Sequence, residues 1–208
     1  MAQFETKGTS PLRRRIREAT REALLSAAEA TIASRGLHNT RIEDIAVAAG
    51  VAVGTIYNYF ADRQTLVEAL LLARRQEMIA KIGEALERSR GLSFTDRLEL
   101  FVRTAVEQFE AHRPLFALLV EQELSDLRRG KRPGNPFQEL AREAADLVRY
   151  GIEEQVLEAE GADCYPLLLL GMIRGLIASS LYRKPASLSP LVPVVTRVFL
   201  DGARHRQV

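Results

Sequence analysis

Residues 42–61 read IEDIAVAAGVAVGTIYNYFA, and the reading of this stretch decides the fold. Numbered one to twenty as a helical hairpin, it puts Ile45, Ala49, Val51, Ile56 and Tyr59 where two short crossing helices need apolar residues. Ala46 is small enough for the second helix to approach the first. Gly50 permits the positive φ of a tight turn between them. Val51 and Ile56 are placed to fill the wedge. Val53, Gly54, Thr55, Tyr57, Asn58 and Tyr59 then fall at or near the outer side of the second helix. Those are the positions that a recognition helix presents to the major groove. The competing reading, a plain helical hairpin inside a core, gives no reason for the small residue, the turn glycine and the paired aromatics to occur together in this register.

Working outward, Gly36 ends a helix that starts near Leu12. Its apolar residues, from Ile16 through Leu24 to Ile32, keep a spacing of about 3.6 residues. Residues 1–11 are polar, with Gly8, Ser10 and Pro11, and read as a flexible arm. Thr40 reads as the N-cap of the first hairpin helix, with Glu43 completing a capping box. The second hairpin helix is expected from about Val53 to Phe60. Asp62 reads as the N-cap of a helix reaching about Arg88, some 38 Å long at a rise of about 1.5 Å per residue.

The run TRIEDIAVAAGVAVGTIYNYFADRQTLVEALL (40–71) resembles the DNA-binding domain of the TetR family of transcriptional regulators. Its most specific part is A-G-V-x-x-G-T-x-Y-x-Y-F-x-D-R-x-x-L, from Ala49 to Leu66, and the resemblance covers about residues 12–71. It implies an all-α protein: an N-terminal three-helix helix-turn-helix DNA-binding domain (12–61) behind the arm (1–11), and a C-terminal helical effector-binding and dimerisation domain (62–208). It also implies roles for matching residues. Thr40, with Arg41 beside it, sits at a helix N-terminus that positions phosphate. Tyr57 and Tyr59 match positions that reach backbone phosphates, and Arg63 stands where the family usually has Lys. Gly54 and Thr55 sit where the helix meets base edges. Ala52 and Val53 depart from the Ser and polar residues common there, which leaves Val53 apolar contact with thymine methyls.

Charge placement matters more than the total, since the net charge is only +2. Arg13, Arg14, Arg15 and Arg17 crowd the start of the first helix, where cations oppose the helix dipole. Either they touch phosphate or the minor groove, as basic arms do, or they are simply solvated.

The rest of the chain reads as five more helices. Leu98, Phe101, Val102, Ala105, Val106 and Phe109 form one stripe. Pro114 restarts a helix carrying Leu115, Leu118, Leu119 and Leu124, and RRGKRPGN (128–135) reads as a loop. Asn135-Pro136-Phe137-Gln138 is a helix start, followed by an apolar side from Phe137 to Ile152. The helix from Pro166 to Tyr182 is apolar nearly all round, with Gly171, Gly175 and Ser179 four apart. With the last helix and its face of Leu191, Val194, Val195, Val198 and Phe199, it reads as half of a four-helix dimer interface, or else as the core helix of a monomer. Phe101, Phe109, Phe116, Leu119 and Tyr150 could line an effector pocket or be plain core, and Arg174 could anchor an anionic effector or form an ion pair. Glu121–Glu123 could place a carboxylate inside, though a surface face is the plainer reading.

Composition narrows the function further. One cysteine, Cys164, excludes an internal disulfide framework, and with three scattered histidines it leaves no basis for a zinc site. Cys164 beside a helix start could sense redox, but no second cysteine exists to resolve it. The apolar run Cys164–Ile173 is too short to span a bilayer, and the N-terminus has no secretory h-region, so a cytoplasmic setting without membrane contact is expected. No G-x-S-x-G, H-E-x-x-H or phosphate loop is present, so neither catalytic residues nor a cofactor is expected. The reading is a homodimeric, ligand-responsive repressor whose partners are a pseudo-palindromic double-stranded DNA operator, a small, largely apolar effector, and a second copy joined through the last two helices. The alternatives are a helical small-molecule carrier or enzyme without specific DNA binding, or an adaptor.

Overall fold

The computed structural model describes residues 10–116, 138–183 and 187–203. The chain splits into two compact units, Met1–Ala73 and Arg74–Val208.

In the first unit, helix α1 (Pro11–Arg35) begins with a proline, whose fixed φ and missing N–H suit a first helical turn. Leu24, Leu25, Ala28, Thr31 and Ile32 are buried at three- and four-residue spacing, so one stripe of α1 packs on helix α2 (Ile42–Ala49). Gly36 terminates α1 at φ 79°. The start of α2 departs from the capping box Thr40–Glu43. Arg41 takes the N-cap position, and its N–H donates to Asp44 Oδ2 at 3.0 Å. Thr40 is turned inward, 2% exposed, with its hydroxyl donating to the Gly36 carbonyl at 2.8 Å. Side chains thus satisfy part of the α1–α2 linker's backbone.

Gly50 follows α2 at φ 66°, in the left-handed region. Its N–H reaches Val47 O and the N–H of Val51 reaches Ala46 O, the paired bonds that close a helix around a left-handed residue. Helix α3 (Val53–Tyr57) is shorter than the expected run to Phe60. The N–H of Asn58 is shared between the Gly54 and Thr55 carbonyls and that of Tyr59 bonds Ile56 O. These tighter bonds end the helix so that Phe60 can turn back into the core. Asp62 caps helix α4 (Arg63–Arg88) by accepting the Thr65 N–H at 2.7 Å, and that bond holds its carboxyl below the ordinary value.

The second unit takes the rest of α4 with α5 (Phe94–Ala111), α6 (Gln138–Glu153), α7 (Tyr165–Arg183) and α8 (Val192–Ala203). The stripe Leu98, Phe101, Val102, Ala105, Val106 and Phe109 is buried throughout, and α5 lies against α6, α7 and α8. Gly151 on α6 makes one of these approaches possible: a Cβ there would stand 2.6 Å from the Phe94 ring. Glu110 at the far end of α5 accepts from the Leu188 N–H and, at 3.4 Å, from the Ser189 hydroxyl, tying α5 to the short turn Ser189–Leu191 before α8. The positions Leu118, Leu119, Leu124, Glu121–Glu123, the loop 128–135 and the cap 135–137 lie outside the described residues. Among the described residues no helix is long and apolar enough to cross a membrane.

Candidate nucleic-acid interface

Two residues determine which side of α3 is free. Ile56 is 0% exposed and Phe60 is buried just beyond, so the helix is fixed on the α1–α2 layer by that edge. The opposite edge holds Gly54 and Asn58 exposed, Tyr57 52% exposed, and Val53 and Thr55 half-buried. A face of small and hydrogen-bonding residues, with Tyr57 as its one long side chain, admits close contact with a groove floor. Tyr59 differs from Tyr57. It is half-buried, and the Arg17 guanidinium lies over its ring at 5.9 Å from the centroid. Arg21 stands similarly over Phe60 at 5.5 Å. The aromatics at the end of α3 thus bind the basic edge of α1 to the hairpin. Arg13, Arg14, Arg15 and Arg17 are all exposed, and no acidic residue lies in the first turn of α1.

Arg63 stands at the first position of α4 and reaches back to the α1–α2 linker. Its Nε donates to Thr40 O at 2.8 Å and its Nη2 to Leu37 O. The resemblance alone gives no hint of this brace. The guanidinium can span two carbonyls because its donors form a rigid fork, which an ammonium lacks. Two carbonyls do not exhaust five N–H donors. Asp44 performs the matching task on α2: besides the Arg41 N–H it pairs with Arg35 at the end of α1. The Thr40 hydroxyl proton, which the resemblance assigns to phosphate, is committed to Gly36 O here. Arg41 stays exposed beside it.

In the second unit Phe116 and Tyr150 both pack against the core that holds Phe101 and Phe109. Phe101 and Phe109 are wholly buried in the core. Phe116 packs edge-on against Phe109 at 5.2 Å. The Tyr150 hydroxyl donates to Leu92 O at 3.1 Å and the Arg97 guanidinium lies 4.2 Å over its ring. Positions 97 and 109 are about 18 Å apart along α5 at a rise of about 1.5 Å per residue, so the two aromatic groups serve opposite ends of it. Arg174 is exposed on α7, not turned into the core, because its neighbours Leu170 and Ile173 take the buried side. Leu119 lies outside the described residues.

A residue with no part in that pocket list is more telling. Gln108 is 9% exposed on the buried side of α5, and its Oε1 has no hydrogen-bond partner among the described residues. The signal for it was present: a carboxamide between Val106 and Phe109, one turn after Thr104, interrupts an otherwise apolar stripe.

The outer side of α7 and α8 is apolar. Leu167 (68% exposed), Leu168, Leu191, Val194 and Val198 all face away from the core, while Leu169, Ile173, Val195 and Phe199 fill it. A Cβ added at Gly171 or Gly175 would meet nothing within 4 Å. Cys164 is exposed just before α7.

The family model for bacterial regulatory proteins of the tetR family matches residues 24–70. The HTH-type transcriptional repressor KstR2 of Rhodococcus jostii is 30% identical over 102 residues, covering 49% of this chain and 49% of that protein. The chain spans about half the length of the curated relatives it matches. Among solved structures, the fatty acid degradation regulator FadR of Bacillus halodurans matches with a TM-score of 0.73 at 23% identity, over 96% of this chain and 100% of that one. FadR of Bacillus subtilis, solved in complex with stearoyl-CoA, matches with a TM-score of 0.71 at 20% identity, over 88% and 99% of the two chains. These two structural likenesses show the shared fold: a helix-turn-helix unit followed by a helical one. The hairpin and its turn glycine lie within the matched stretch, so residues 24–70 are the part of the chain that is similar to the tetR family of bacterial regulatory proteins.

Proposed function

We propose that the protein is a homodimeric, cytoplasmic, ligand-responsive repressor that binds a pseudo-palindromic DNA operator through residues 12–61. The observation that carries this reading is the hairpin: Gly50 sets the turn, Ile56 fixes α3, and the small polar edge of α3 is left open beside exposed arginines of α1. On this reading Val53, Gly54 and Thr55 meet base edges and Asn58 stands beside them. Tyr57, Tyr59, Thr40, Arg41 and Arg63 hold phosphate or the residues that do. Arg63 takes part through the linker it braces as well as through its charge.

Residues 62–208 serve as the effector and dimer domain on this reading. Four large apolar side chains and two glycines exposed on α7 and α8, with Leu191 just before α8, suit a second copy of the same surface, since an isologous interface needs a self-complementary patch. Two recognition helices would then lie about 34–36 Å apart, one turn of B-DNA. The effector is small and largely apolar. The apolar interior of the second unit supports this, and so does the long acyl chain of the stearoyl-CoA bound by a protein of the same fold, although its coenzyme A part is large and anionic. Release follows if the effector binds one spacing of the helices more tightly than the other; equal affinity would shift nothing.

The test is fluorescence anisotropy of the full chain on its own upstream intergenic DNA, with a scrambled duplex as control and salt varied. Selective binding by a dimer is the expected result. Equal, weak and steeply salt-dependent binding to both duplexes, together with a failed random-site selection, would overturn the reading.

A further inference from the structure

We propose that Gln108 is the polar anchor of an interior ligand site in the second unit, one that takes an apolar molecule carrying a single hydrogen-bond donor. The inference rests on the reading of that unit as effector-binding and names the class of effector. A buried amide oxygen with no partner forfeits its hydration and gains nothing in return, so such groups are rare and each needs a reason. A leucine or methionine of similar volume would fill the same place on α5 without that cost. The chain keeps an acceptor there nonetheless, with its oxygen wholly out of contact with water and its carboxamide on the buried side of the helix.

The surroundings select the rest of the ligand. Thr104 and Ala105 lie one turn before Gln108 and Phe101 two turns before, all buried. A threonine, a small side chain and an aromatic ring along one helix edge offer mostly apolar contact and no charge of their own. The free Oε1 accepts, so it rewards an alcohol O–H or an amide or amine N–H, and it repels an ionised carboxylate. A hydrogen bond formed there replaces no protein partner, so its whole contribution appears as discrimination between ligands with and without the donor.

The experiment uses the full-length protein and N-phenyl-1-naphthylamine, a fluorescent apolar probe with one N–H. It is displaced in parallel by 1-decanol and by 1-methoxynonane, which has the same number of heavy atoms but can only accept. The readout is the ratio of the two displacing concentrations in wild type divided by that ratio in Gln108→Leu, which cancels their different affinities for water. The expected value is about tenfold in favour of the alcohol, the size of one net hydrogen bond. Gln108→Leu should also melt no lower than wild type, since it removes an unsatisfied group; a glutamine with a purely structural role would instead lose stability. Gln108→Met serves as the second variant should leucine not fold. An unchanged ratio, or no binding of probe or alcohol by wild type, overturns the proposal. Operator binding is measured on the same samples. Selective DNA binding without probe binding removes this site and leaves the regulator reading, while probe discrimination without DNA selectivity does the reverse.

Discussion

The α3 edge and the outer side of α7 and α8 are both surfaces that a single chain leaves open, and their chemistries are opposite. The first presents Gly54, Thr55, Tyr57 and Asn58, with Val53 half-buried among them. The second presents leucines and valines around two glycines. Water tolerates the first at no cost and the second only poorly, so the α3 edge can wait exposed for its partner while the α7–α8 side gains from being covered at once. If the first reads a groove and the second pairs with a copy of itself, as proposed, the two differ in what they do in the absence of either partner.

The strongest way to break this comparison is to put charge on the apolar side. Leu168→Asp with Val198→Asp should give a monomer by light scattering and weaken operator binding about a thousandfold, towards the non-specific level. A dimer that survives both changes would show that some other surface pairs the chains. Next come two glycines that test why each unit closes. Gly151→Ala would press a methyl into the Phe94 ring and should cost about 1–3 kcal/mol in urea unfolding. Gly50→Ala meets open space but must hold φ 66°, a strain of about 1–2 kcal/mol, felt by the hairpin. A smaller effect separates the two roles of Arg63. Arg63→Ala should lower the salt slope of DNA binding by about one charge, whereas Arg63→Lys should keep the slope but lose the brace on Leu37 and Thr40, weakening binding by a factor of about three to ten. Full recovery by lysine would mean that charge alone matters. The smallest change is Thr55→Val, which should leave affinity nearly constant and alter preference at one operator position in a randomised library.

These same residues show what a sequence discloses. Gly50, Ala46 and Ile56 were legible because a left-handed turn, a close helix approach and a filled wedge each restrict the residue type locally. The stripes on α5 and α6 were legible because burial repeats every 3.6 residues. Thr40 was misread as a cap because its true partner, the Gly36 carbonyl, is chosen by the path of a short linker. The end of α3 was overrun because Phe60 leaves the helix to be buried, and periodicity does not announce that. What stands opposite each aromatic was not legible, for a related reason. A stripe reports that Phe101 and Phe109 are inside but not which residue of a distant helix stands opposite; Tyr150 turns out to pair with Arg97 and Leu92. Arg63 hid a second role because its acceptors lie more than twenty residues back along the chain.

The chain's one cysteine gives the molecule an unplanned spectroscopic convenience. Cys164 is exposed and sits apart from the hairpin in the sequence. A nitroxide or fluorophore attached to it marks every chain once, without any residue having to be removed first. Two identical chains in one particle would then produce one label-to-label distance, and a lone chain none. Pulsed dipolar spectra would thus count the chains in the particle, and any broadening of that single peak on adding DNA or effector would time the change of state.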